Sequence, residues 1–123
     1  IKQAPTRTDK TKQKASDLKL KKAYNNSQIT QKKKKDALTL INKQLIFQQD
    51  QLKQLQNDRI LFVRQEREHF RKGESVPAQL KTILSNNQKN IVTKKENIQS
   101  LQSSYRNTAA EYDKIISRLK EME

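Results

Sequence analysis

The sequence predicts an all-α protein: a long antiparallel two-helix coiled-coil hairpin behind a basic, largely extended N-terminal tail. Two long stretches carry apolar residues in steps of three and four, the period of one helix face. Between them fall the only Gly and one of the two Pro in 123 residues. So few breakers leave little scope for sheets and their turns. Apolar residues make up 32% of the chain and charged residues 33%, against about 45–50% apolar in ordinary domains. Such a composition also suits disorder. The regular repeat from Asp36 onward decides for helix.

Residues 1–26 read as a basic tail or linker. Their first part, IKQAPTRTDKTKQKA, holds Pro5, three Thr and many Lys with almost nothing apolar, and is expected to be extended. Ser16 and Asp17 are fit to cap a short helix carrying Leu18, Leu20 and Tyr24. Asn25-Asn26-Ser27 then offers a break or a new helix start.

Residues 27–123 read as the hairpin, with helix 27–72, turn 73–76 and helix 77–123. In the first arm Leu38, Ile41, Leu45, Leu52, Leu55 and Phe62 share one stripe with Gln48, Arg59, Glu66 and His69. The long polar residues would lay their stems along the seam's edge. The second arm is more regular: Leu80, Leu84, Ile91, Ile98, Leu101, Tyr105, Tyr112, Ile115, Leu119 and Met122, interrupted by Asn87, Lys94 and Thr108. A repeat of 3.5 residues implies a left-handed supercoil. A buried polar seam residue such as Asn87 is suited to setting register.

The link Arg71-Lys72-Gly73-Glu74-Ser75-Val76-Pro77 carries stop-and-restart chemistry. Gly73 takes the left-handed conformation that closes a helix, Ser75 is a candidate N-cap, and Pro77 belongs in a first turn. A short link makes the long helices antiparallel neighbours. Folding there pairs residues whose numbers sum to about 149, which places Phe62 near Asn87 and Leu55 near Lys94. Arms of roughly 45 residues at 1.5 Å each would give a rod about 70 Å long. Ile60, Val63 and Phe70 lie off the stripe at helical spacing and form a candidate partner face. Ile46, Phe47, Leu61 and Ile116 are also off it.

The formal net charge is +14, and 12 of the 27 Lys and Arg lie in the first 35 residues with only 2 of the 13 Asp and Glu. Such a flank favours polyanions. Lys32, Lys33, Lys34 and Lys35 are the sharpest candidates for anion contact. They carry no interleaved aromatics for stacking single strands.

Absence of Cys excludes disulfides and thiolate chemistry. Glycine-rich phosphate loops, nucleophile elbows and zinc-protease motifs are missing. A single His69 among charged helix residues makes no metal site. A two-helix hairpin has no cavity for a substrate, so no catalytic residue, metal, cofactor or small-molecule substrate is expected. No apolar run approaches the roughly 18–20 residues of a membrane span. Because the chain opens on Ile1, a processed or partial form is expected.

The run from Lys35 to Glu121 opens with Ala37-Leu38-Thr39-Leu40-Ile41. It centres on Gly73-Glu74-Ser75-Val76-Pro77-Ala78-Gln79-Leu80 and closes with Tyr105-Arg106 and Tyr112. It resembles the C-terminal helical hairpins of small exported Gram-negative proteins, in which a β-rich module precedes a basic hairpin. That module is not in this chain. The resemblance implies a cell-envelope or periplasmic location and no mechanism. The function expected is non-enzymatic: a coiled-coil spacer or assembly subunit with a protein partner or further copies of itself. A basic nucleic-acid-binding arm is the alternative, and a coiled-coil holdase chaperone a second.

Overall fold

The computed structural model describes residues 7–123, with side chains from residue 11 onward. It is all-helical, with α1 at Arg7–Tyr24, α2 at Ser27–Arg71 and α3 at Ala78–Met122. No strand occurs among the described residues.

The largely extended tail is the main correction. Residues 7–24 form one helix; residues 1–6, with Pro5, lie outside the described residues. Lys, Gln, Ala and Leu are strong helix formers, yet 18 residues make a marginal helix alone. Packing supplies the remainder. The Asp17 carboxylate accepts hydrogen bonds from Arg118 Nε and Nη2, both at 2.8 Å. Tyr24 meets Tyr112 edge-on, with ring centres 6.4 Å apart.

Each helix junction gives stopping and starting to different residues. Asn25 is left-handed at φ 64°, and its N–H donates to Lys21 O at 2.9 Å. That is the αL closure of α1. Asn26 then caps α2, its Oδ1 accepting from Ile29 N–H at 2.9 Å. At the second junction Gly73 has φ 72°, Gly73 N–H donates to Phe70 O, and Glu74 N–H donates to His69 O. This pair of bonds is a Schellman closure. Pro77, rather than the exposed Ser75, supplies the first acceptor of α3, taking a bond from Lys81 N–H at 3.1 Å.

The chain divides into two compact units. The first gathers α1, α2 as far as Leu40, and α3 from Tyr105. Ser27, Thr30, Ile116 and Leu119 are buried there, with Leu38, Tyr112 and Ile115 partly buried. Thr30 is fully covered, its hydroxyl donor shared between Tyr24 O and Asn26 O at 2.9 and 2.8 Å. A helix with two neighbours buries a wider face than a two-helix seam, which accounts for Ile116. Tyr105 departs from the predicted seam. The residue is 38% exposed, as suits a large side chain with a polar end.

The second unit spans Ile41–Ser104. Leu45, Val76, Leu80, Ile91 and Ile98 are buried, and Ile41, Leu52, Leu55, Phe62, Leu84 and Leu101 partly so. Val76, read as a turn residue, is part of this interior.

A Cβ at Gly73 meets nothing within 4 Å, so Gly73→Ala adds backbone strain without a clash. It is expected to lower stability by about 1 kcal/mol. Urea denaturation gives the check: unchanged midpoint and slope would show that the closure does not need a left-handed residue.

Candidate interaction surfaces

Polar residues set the contacts inside the second unit. Asn87 is buried, donates from Nδ2 to Leu55 O at 2.9 Å, and accepts from Arg59 Nη1 at 3.4 Å. Its amide thus has partners on both sides, which removes the penalty of an orphaned buried group. Lys94 donates from Nζ to Gln48 Oε1 at 3.1 Å and to Gln51 Oε1. These polar partners fall within one to two turns of the predicted pairing, and Leu55 and Lys94, which that pairing set together, line one groove.

The candidate partner face is open. Ile60 is 53% exposed and Phe70 64%. Val63 is partly buried and lines a shallow groove with Gln56, Arg59, Ile60, Arg64 and Arg67. That groove is apolar at its base and carries three guanidiniums and no carboxylate. His69 Nδ1 lies 3.2 Å from Glu74 Oε2 and braces the turn.

The four-lysine run is divided. Lys33 reaches back to the end of α1, donating to Ala23 O at 3.4 Å with its ammonium 5.9 Å from the Tyr24 ring centre. A cation at a helix C-terminus is favourably placed against the dipole. Lys34 pairs with Asp113 at 2.6 Å. Only Lys32 and Lys35 of the run are exposed without such an engagement, so the run does not act as one anion site.

Besides Tyr24–Tyr112 and Lys34–Asp113, sequence reasoning missed two further long-range contacts in the first unit. Glu123 accepts from Ser27 N–H and from Ser27 Oγ, both at 2.8 Å. A carboxylate is thereby set on the N-terminus of α2, where orphan N–H groups and the dipole favour it. The pairing sum near 149 was the available signal, since 27 and 123 satisfy it. The Asp17–Arg118 pair had no such signal. Bonds from Arg118 hold the Asp17 carboxyl below the usual carboxylate range, and those from Ser27 do the same for Glu123. Asp17 and Glu121 in turn raise Arg118.

Among the described residues no three His, Cys, Asp or Glu stand together as a metal site. None of the described helices is long and apolar enough to cross a membrane.

Both lowered carboxylates contribute stability that is complete above their unfolded value near pH 4 and lost as pH falls through the depressed folded values. Acidification from about pH 6 to pH 2 is therefore expected to release α1. The NMR ring-current shifts between Tyr24 and Tyr112 report it, with the Asn87 side-chain amide as an internal reference. Shifts unchanged at pH 2 would remove the ion pair as the clasp. Comparison of the chain with protein-family models, curated proteins and solved structures returns no match.

Proposed function

We propose that this protein is a non-enzymatic assembly element. In this reading α2 and α3 form an antiparallel coiled-coil hairpin, and the arginine-edged apolar face of α2 receives an acidic amphipathic helix of a partner protein. The observation that carries the reading is the contrast on α2. Leu45 is buried, while Ile60, Leu61 and Phe70 stand more than half exposed.

Two features support the hairpin. The polar contacts move down α2 as they move up α3, from Leu55 and Arg59 at Asn87 to Gln48 and Gln51 at Lys94. The glycine closure and proline restart lie within one short link.

Charge selects the partner. Gln56, Ile60, Val63, Arg67 and Phe70 follow in steps of four and three, a second coiled-coil stripe with Arg59, Arg64 and Glu66 at its edges. A second copy would set these arginines against their own kind, on a chain already at +14. Carboxylates on a partner helix would pair them, at about 0.2–1 kcal/mol for each exposed pair.

Cysteines placed at Gln51 and Lys94, in a chain with none of its own, are expected to be bridged within one molecule by a short bismaleimide. Dimeric product instead would sink the hairpin. For the partner face, an amphipathic helical peptide edged with Glu is expected to bind about tenfold tighter than its Lys-edged counterpart. Three pairs totalling about 1.4 kcal/mol give that ratio. The variant I60S/F70S should lose the binding. Equal binding of both peptides, or none, would sink the proposed partner.

A further inference from the structure

We propose that the outward face of α1, built from Lys12, Lys19 and Lys22 with Lys14 at its margin, docks on the phosphate backbone of double-stranded nucleic acid. The inference is independent of the partner face on α2.

The face follows from how α1 is held. Asp17, Leu20 and Tyr24 recur at steps of three and four and are its partly buried residues. Asp17 is tied to Arg118 and Tyr24 lies against Tyr112. At 100° per residue, Lys12, Lys19 and Lys22 fall on the opposite side, and all three are exposed. The pairing turns the one acid between Thr11 and Tyr24 inward, so no carboxylate from that stretch offsets the lysines outside. Lys21 lies nearer the packed side. Ala15 stands between the lysines and Ser16 and Ala23 beside them, all short enough for another surface to approach closely.

Charge without apolar anchors selects the ligand. Leu18 is the single large apolar side chain exposed on α1, at 62%. Helices that bind membrane surfaces bury a whole apolar face, and protein interfaces depend on aromatic or aliphatic anchors. Leu18 alone, beside Lys22 on this surface, makes neither a whole apolar face nor a set of anchors, so the affinity must come mainly from charge. Counterion release from a densely charged polymer supplies affinity in that way. Lys12 to Lys22 span about 15 Å of helix axis, a length over which a duplex carries about nine phosphates. Single strands are disfavoured, because the Tyr24 ring is engaged with Tyr112 and offers no stacking platform. Lysines act as point charges rather than bidentate readers, so binding is independent of sequence.

The test uses the full chain and a labelled mixed-sequence 24-base-pair DNA duplex, followed by fluorescence anisotropy across a salt series. K12A/K19A/K22A keeps helix propensity. It is expected to bind at least about tenfold more weakly at low salt and to lose about 2.7 from the slope of log K against log salt. The charge-matched K81A/K89A/K95A, altered at exposed α3 positions, should leave that slope unchanged. Equal losses from both triples would overturn the face in favour of generic polycation behaviour. D17R adds two positive charges but opposes Arg118, so a docked face predicts weaker binding, with the swap D17R/R118D restoring it. Tighter binding by D17R would overturn the role of docking. Vesicles containing phosphatidylserine are the competing surface: tighter binding to them than to the duplex, lost in K12A/K19A/K22A, would reassign the face to membranes.

Discussion

Apolar surface is the scarce quantity in this molecule, and the narrow contact between α2 and α3 is what the rest depends on. Helices satisfy their own backbone hydrogen bonds, so a chain that is 32% apolar still forms long regular elements. Holding those elements together is harder. Seven apolar residues are buried among the described residues, each contributing at most about 1.5–3 kcal/mol. Most other apolar positions are only partly covered.

Polar groups therefore take on tasks that a larger core would perform by shape. Asn87 binds a backbone carbonyl and a guanidinium across the contact, and it distinguishes alignments that leucines treat as equivalent. Thr30 is covered completely because both acceptors of its hydroxyl come from the α1–α2 junction. The carboxylate of Glu123 serves the start of α2 as an N-cap would, from the other end of the described chain. Each device is local in geometry and long-range in sequence, except Thr30, whose partners lie within six residues.

The basic character of the chain is also more structured than its composition suggests. Lys33 and Lys34 serve the packing of the first unit, one at the C-terminus of α1 and one against Asp113. The lysines of α1 gain a common direction only because Asp17 and Tyr24 are held. The arginines of the second unit sit beside exposed isoleucine and phenylalanine, a different chemistry from the bare lysine face. Two kinds of surface, one amphipathic and one mainly cationic, thus occur in two separate units.

The sequence by itself determined the long helices and the place where they break. The apolar steps of three and four, Gly73 with Pro77, and the Asn25-Asn26 pair are local signals that act within a turn or two of the backbone. Tertiary structure decided the rest. Helix α1 reads as a polar tail until Arg118, 101 residues away, gives Asp17 a partner. Ile116 lies off any two-helix stripe and is buried where three helices meet. The partners that bond between α2 and α3, Arg59 with Asn87 and Gln48 and Gln51 with Lys94, were not legible, because a heptad repeat names the seam and not which polar groups meet across it.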